Sequence, residues 1–273
     1  MGKAKDILLR PIPTSEMNPY MRRWHYSGKV DTRTQLSIGV FYKGQLEGGL
    51  QFGPSIDKHK VRGLVSGTGW NEWLDLHRLA FTDRLPRNSE SRAISIAMKL
   101  LRQYAAHVKW VLSYADATQC GDGTIYRAAG FVLTKITSNT SMWLLPDGDV
   151  VCSLVLEPSF GSNGAGGIKA KWGKSGGETS RNFLKRIGAT PLPGHQLRYM
   201  YFLDKSYRSR LTVPEIPFSE IEKRGARMYK GERITGGRGE KDSAPQTNEE
   251  TGGASPTRPL LDMTGGEPVL MTE

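Results

Sequence analysis

The chain has 273 residues, with 38 Lys and Arg against 27 Asp and Glu, a formal net charge of +11 and a pI near 9.6. Hydrophobic residues make up 37% and mean hydropathy is −0.46, so a core is within reach, but no run approaches the roughly 18 uncharged apolar residues of a spanning helix. The start, MGKAKDILLRPIPTSEM, lacks the apolar stretch of a signal peptide, and two cysteines, Cys120 and Cys152, are too few for a disulfide framework. These features fit a cytoplasmic protein with a polyanionic partner and no membrane.

In chain order, residues 36–53 (LSIGVFYKGQLEGGLQFG) predict a β-hairpin, two apolar runs around Lys43-Gly44. Residues 73–82 alternate Trp73, Leu74, Leu76, Leu79 and Phe81 with polar positions and predict a strand. The polar loop LPRNSES leads into a helix from about Glu90 to His107. Its apolar positions Ile94, Ala97, Leu101, Tyr104 and Val108 recur at helical spacing, and Asn88 or Ser89 is placed to cap it. WVLSYAD (110–116) predicts a second buried strand, TQCGDG a glycine-rich loop, and TIYRAAG a short helix stopped by Gly130. FVLTKIT and VVCSLVLE predict two more strands. This order specifies an α/β fold over residues 1–160, one mixed central sheet flanked by helices.

Residues 161–230 predict a basic extension packed on that core, with 14 basic against 5 acidic side chains. It opens with a glycine-rich basic loop (159–178). RNFLKRI then predicts a helix, RYMYFLD a strand, and RLTVPEIPF an extended, proline-punctuated stretch. Arg181, Lys185, Arg186, Arg198, Lys205, Arg208 and Arg210, interleaved with aromatic residues, are the phosphate-contacting candidates. Residues 231–273, with 4 basic against 8 acidic side chains and much Gly, Thr, Glu and Pro, predict a disordered tail.

Two constellations carry chemistry. A strand, a polar loop and a helix start at 76–101 offer free main-chain N–H groups and a positive dipole end to an anion. Arg84, Arg87 and Arg92 around Ser89 and Ser91 would line a pyrophosphate cradle there. The second, SYADATQCGDGTIYRAAGF (113–131), places Tyr-x-x-x-Gly-Phe on a helix after a strand. It resembles the last helix of the GNAT acetyltransferase superfamily, whose Tyr lies near the leaving sulfur of coenzyme A. One departure stands out: Arg87 is followed by Asn88, Ser89, Glu90, Ser91 and Arg92, where that superfamily has Gly-x-Gly/Ala.

WHYSGKV (24–30), the hairpin, LHRLAFTD (76–83), SRAISIAMKLL (91–101), the SYAD and GDGTIYRAAGF segments, and RYMYFLDKSYRSRLTVPEIPF recur here in order. Together they resemble the Mom family of phage DNA-modification proteins over about residues 17–220. The resemblance implies a GNAT-like transferase acting on double-stranded DNA inside a bacterial host. It would convert the exocyclic amine of adenine to a carbamoylmethyl (methylcarbamoyl, acetamido) group, which protects the DNA from host restriction endonucleases. Carried over by motif, the functional positions would be His25, Tyr26, Arg78, Ser91, Asp116 and Tyr126.

That amine is a poor nucleophile, because its lone pair is delocalised into the ring. The reaction therefore needs an activated donor, a proton acceptor and stabilisation of developing charge. Asp116, at the end of a strand, is the candidate acceptor, with His25 and Tyr26 beside the reaction. Arg78, on an otherwise apolar strand, would meet the donor or a phosphate, or pair with Asp116. Arg87, Ser89, Ser91 and Arg92 would hold the donor and Tyr126 would act as acid. The resemblance also suggests iron(II), for which His25, Tyr26 and Asp116 would be the ligands.

The donor could be acetyl-coenzyme A or a related two-carbon carrier. Simple acetyl transfer cannot make the product, and a glycine-derived donor such as glycyl-tRNA contains the N–C–C unit it requires. Two other readings stay open: a coenzyme A-dependent N-acetyltransferase for a protein or small amine, and a non-catalytic basic DNA-binding protein. The oligomeric state is also open, with a homodimer among the alternatives. Strand alternation points His77 away from Arg78.

Overall fold

The computed structural model describes residues 3–118, 121–156, 166–229 and 232–233. Cys120, residues 159–165 of the basic loop and the rest of the tail expected from 231 onward lie outside the described residues. The described residues belong to one compact unit, Met1–Thr235.

Strands β1 (Leu8–Pro11), β2 (Leu36–Tyr42), β3 (Gln45–Gly53), β4 (Trp73–Phe81), β5 (Trp110–Asp116) and β6 (Val132–Ser138) come first. Three short strands, β7 (Met142–Leu144), β8 (Val150–Cys152) and β9 (Thr190–Pro191), form a small antiparallel sheet of their own. β10 (His195–Phe202) returns to the main sheet, whose order is β1-β2-β3-β4-β5-β10-β6. Every neighbouring pair is antiparallel except β4 and β5. The helices are α1 (Thr14–Trp24), α2 (Lys58–Arg62), α3 (Ser89–Tyr104), α4 (Thr124–Ala128), α5 (Gly166–Lys171), α6 (Ser180–Arg186) and α7 (Ser219–Lys223). The mixed α/β sheet flanked by helices is the architecture the sequence specifies.

The helical spacing of α3 explains its seat. Ile94, Ala97, Met98 and Leu101 are buried in one cluster with Ile38, Leu50, Phe52, Leu76, Val111, Ala115 and Leu133 of the sheet. Each large apolar side chain buried this way contributes about 1.5–3 kcal/mol. A second cluster joins Trp73, Trp110, Leu112, Met200 and Phe202 to Val61, Leu64, Val65 and Tyr207. A third joins Met17, Tyr20 and Met21 of α1 to Ala80. A Cβ at Gly49 would overlap Met17 and Met21, so α1 lies directly on the β3 main chain.

Several expectations shift. The structure adds α1, where Met17, Tyr20, Met21 and Trp24 have helical spacing and Pro19 lies inside the helix. The long helix stops at Tyr104, which is exposed, while Val108 is buried beyond its end. The strand expected from VVCSLVLE stops at Cys152 and gives way to a 3-10 turn, Ser153–Leu156. The strand expected from RYMYFLD begins earlier, at His195, and pairs with β5 and β6. The expected boundary at residue 160 therefore runs through the main sheet, because the basic segment supplies one of its interior strands.

Candidate active site

The parallel ladder between β4 and β5 runs from Trp73 opposite Trp110 to Leu76 opposite Ser113 and then stops. Both strands continue, to Phe81 and Asp116, so the sheet opens into a fork. At its apex Ser113 Oγ donates to the Leu76 carbonyl at 2.8 Å. Beyond it, β4 and β5 present facing main-chain edges that the β4–β5 ladder does not use. Opposite the fork, β4 carries a bulge against β3: Leu76 faces Phe52 and Arg78 faces Gln51, which leaves His77 as the extra residue.

The bulge sets the orientation of the next side chains. His77 Nε2 meets Thr34 Oγ1 at 3.0 Å, while Arg78 Nε donates to the Lys29 carbonyl at 3.3 Å and Nη1 to the His77 carbonyl at 2.8 Å. Both side chains thus reach the segment between α1 and β2, which overrides the alternation expected from the sequence. α1 delivers His25 to the same place as its C-cap residue. Gln51 helps anchor α1, donating to Asn18 Oδ1 at 3.0 Å and to Ser37 Oγ at 3.2 Å.

His25 is buried, and its Nδ1 accepts from the Ser27 N–H at 3.2 Å, with Ser27 Oγ at 2.8 Å. The neutral ring therefore carries its proton on Nε2. Burial, reinforced by the Arg78 guanidinium, pushes its pKa down to about 3. Tyr26, half exposed, lies against it with ring centroids 4.3 Å apart. His77 is likewise pushed down to about 4, chiefly by burial. Thr34 Oγ1 gives its proton to the Asp31 carbonyl, so His77 Nε2–H is the donor to Thr34 and Nδ1 is a bare acceptor. Nδ1 is buried without a hydrogen-bond partner. Asp31 is paired with Arg33, and Asp75, bonded to Ser55, is lifted by burial to about 6.

Asp116 accepts from the Thr118 N–H at 3.0 Å and is also bonded by Asn139; burial raises its pKa. Arg78 bonds the Lys29 and His77 carbonyls, while Asp116 bonds Thr118 and Asn139. Two residues before Asp116, Tyr114 is 42% exposed and stands opposite Arg198 in the ladder. Tyr126 is buried on the α3 side, its ring 5.3 Å from Tyr199 and 5.4 Å from Phe131. Tyr199 OH donates to the Asp122 carbonyl, and its ring lies where a Cβ on Gly123 (φ +78°) would be.

The start of α3 is held at the far side of β4. Buried Glu47 binds Thr82 Oγ1 and the Arg84 Nε, so Arg84 is tied to the loop rather than open to an anion. Asn88 occupies the N-cap in the left-handed region (φ 69°) and makes no side-chain cap. The Glu90 and Ser91 N–H groups consequently have no main-chain partner, Ser91 Oγ donates to the Asn88 carbonyl, and the fully buried Ser89 Oγ has no hydrogen-bond partner. Arg87 and Arg92 are exposed beside them. Free main-chain N–H groups at a positive helix end, with Arg87 and Arg92 beside them, suit an anion.

The other basic candidates divide. Arg186 forms a two-pronged pair with Glu178, and Arg208 with Glu215. Arg210 donates to the Ser66 carbonyl and covers the Tyr207 ring, and Arg198 is bonded to Thr134. Arg181, Lys185 and Lys205 are exposed, with no ion pair among the described residues. The described residues do not fit iron: no three His, Cys, Asp or Glu side chains among them gather as ligands, and His25 Nδ1 is engaged by Ser27. No helix among the described residues is long and apolar enough to cross a membrane.

Sequence reasoning missed His77 as an active neighbour, along with Asp75, the Asp31–Arg33 pair and Tyr114. The His77-Arg78 dipeptide was in view, but the bulge that turns both the same way was not.

The Mom protein family model matches residues 6–220 of the chain. Methylcarbamoylase mom of Escherichia phage Mu is 32% identical over 211 residues, spanning 77% of this chain and 81% of that protein. Among solved structures, a Bacillus subtilis acetyltransferase in complex with CoA aligns with 9% identity and a TM-score of 0.38, over 72% of this chain and 97% of that one. The ribosomal-protein-S18-alanine N-acetyltransferase from Escherichia coli aligns with 10% identity and a TM-score of 0.39, over 72% and 94%.

Proposed function

The chain belongs to the Mom protein family, and from that footing we propose that it is a transferase that places a methylcarbamoyl group on the exocyclic amine of adenine in DNA, so that the modified DNA resists host restriction endonucleases. The observation that carries the reading is the fork: one arm bears Arg78 beside His25, and the other ends in Asp116.

With a glycyl ester as donor, the amine nitrogen attacks the ester carbonyl carbon, loses a proton and expels the carrier's hydroxyl, and the resulting glycyl amide, an isomer of the methylcarbamoyl product, then rearranges so that the adenine nitrogen is bonded to the methylene carbon. Asp116 is the acceptor: burial makes its carboxylate a stronger base than usual, and Thr118 and Asn139 fix its orientation. Arg78 supplies a fixed positive charge where negative charge develops, with Nε and Nη1 already held by carbonyls. His25 stays neutral and offers Nε2–H as a donor, with the Tyr26 ring tilted against it. Tyr126 serves as acid to the leaving group.

The donor enters along the fork, where an extended amide-bearing arm would pair with the open strand edges. Its phosphates would rest on the Glu90 and Ser91 N–H groups, Ser89, Ser91, Arg87 and Arg92. Coenzyme A thioesters have both features. A glycyl-tRNA has the phosphates and the N–C–C unit of the product, and label tracing from glycine against acetyl-coenzyme A separates the two. Double-stranded DNA is the partner, contacted through the basic side chains of 161–230 left unpaired.

Mass spectrometry of nucleosides from DNA of cells expressing the chain tests the reading. Deoxyadenosine carrying the added group is expected from the wild type and loss of it from Asp116→Asn. Unmodified adenine from the wild type overturns it, and an acetylated protein or small amine in its place would favour the plain acetyltransferase.

A further inference from the structure

Interior strands of a seven-stranded sheet are normally covered on both faces, and β5 obeys this for most of its length. Trp110, Val111, Leu112, Ser113 and Ala115 are all buried. Tyr114 breaks the pattern at 42% exposed; it lies just past the fork apex, where β10 still pairs with β5 but the β4 ladder has ended. The reason lies in the covering layer. Trp110 and Leu112 share one face with Met200 and Phe202 under Val61, Leu64, Val65 and Tyr207, and that cluster ends one repeat before Tyr114. The centre of this sheet face is therefore open, and Tyr114 is its floor.

We propose that Tyr114, with Arg198 beside it, is the platform on which the target purine stacks once it has left the duplex. The proposal rests on the adenine reading above and adds the site that receives the base. Arg198 is the ladder partner of Tyr114, and its Nε donates to Thr134 Oγ1 at 2.9 Å, so a cation is fixed beside Tyr114 in the sheet. Asp116 lies two residues further along the same face, about 6.6 Å away at strand spacing. Asp75, on β4, is near enough to influence Tyr114 electrostatically.

The chemistry of this recess selects its occupant. An aromatic floor takes any base by its π-face, worth about 1–3 kcal/mol per base. The carboxylate of Asp116 accepts from an exocyclic amine and repels a carbonyl in the same position, which favours adenine over thymine. Arg198 supplies the donor for a ring nitrogen or for the phosphate of the extruded nucleotide.

The test uses the full chain and two single strands of equal length, an oligodeoxyadenylate and an abasic backbone, with affinity read by fluorescence anisotropy. The wild type should prefer the adenine strand. Tyr114→Leu, similar in bulk and without the π-face, should lose about 5- to 150-fold of that preference, with the abasic affinity unchanged. Tyr114→Phe should retain most of it, and thermal unfolding of each variant excludes a folding defect. Equal binding of both strands by the wild type, or an undiminished preference in Tyr114→Leu, overturns the platform. Neither readout requires catalysis, so failure of nucleoside modification in the wild type would sink the adenine reading separately.

Discussion

Ser113 Oγ donates to the Leu76 carbonyl at the last rung of the parallel pairing of β4 with β5, and the two strands separate from that bond onward. The fork thus has a defined apex, and its two arms carry Arg78 and Asp116 to where a donor and an acceptor could meet. Ser113→Ala leaves a buried carbonyl without this partner and should cost about 1–3 kcal/mol, read by urea unfolding. A variant as stable as the wild type would mean that the fork is held open by other contacts.

His25 and Arg78 are coupled electrostatically, which gives a measurable consequence. With pKa values held near 3 and 4, the His25 and His77 rings should stay neutral in NMR titrations from pH 8 to 5. Arg78→Gln removes a positive neighbour and should raise the His25 pKa, while lowering modification about 10²–10³-fold if the guanidinium meets developing charge. A native His25 ring that titrates near 6.5 contradicts the buried, neutral assignment.

Asp75 and the two histidines push stability in opposite directions. The histidines bind fewer protons folded than unfolded, so their contribution is lost as pH falls from about 6.5 through their folded values. Asp75 keeps its proton up to about 6 in the fold, against 3.8 in the unfolded chain. Its contribution is present below pH 3.8 and disappears as pH rises through 6. Asp75→Asn should therefore gain on the wild type as pH rises from 4 to 7.5, by up to about 3 kcal/mol. A pH-independent difference would show that Asp75 is ionised throughout.

The start of α3 permits a substitution whose effects on stability and function have opposite signs. Ser91→Asp puts a negative charge in the first turn, which should stabilise the helix by about 0.3–1 kcal/mol. The same charge repels an anionic donor, so donor affinity should fall tenfold or more while Tm rises. Unchanged donor affinity would move the anion site away from this helix end.

How much of this was legible depends on which forces set each feature. The hairpin, β4, α3 and β5 follow from periodicity, because their apolar faces are read directly from the chain. The motif-bearing residues His25, Arg78 and Asp116 could be named for the same reason that they could not be arranged: residue type is local, but contact is not. The His77 bulge is set by the pairing of β3 with β4. The exposure of Tyr114 depends on where a covering layer made from Val61, Leu64, Val65 and Tyr207 comes to an end. α1 contains Pro19, whose cost is offset by Met17 and Met21 packing on Gly49. Charge was legible by segment but not by pairing, since Glu178 and Glu215 neutralise two of the arginines that composition counts as open.

That last distinction yields a prediction about DNA. Each cation that meets a phosphate releases counterions and contributes about 0.9 to the slope of log affinity against log salt. Arg181 and Lys185 stand exposed on one short helix without carboxylate partners among the described residues, whereas Arg208 is held by both oxygens of Glu215. Arg181→Gln with Lys185→Gln should weaken duplex binding across all sequences and lower the salt slope by about 2. Arg208→Gln should change it by less, because that charge is already compensated. If the double variant leaves the slope intact while Arg208→Gln lowers it, the pair with Glu215 opens on binding and the phosphate path runs over the 205–210 turn rather than over α6.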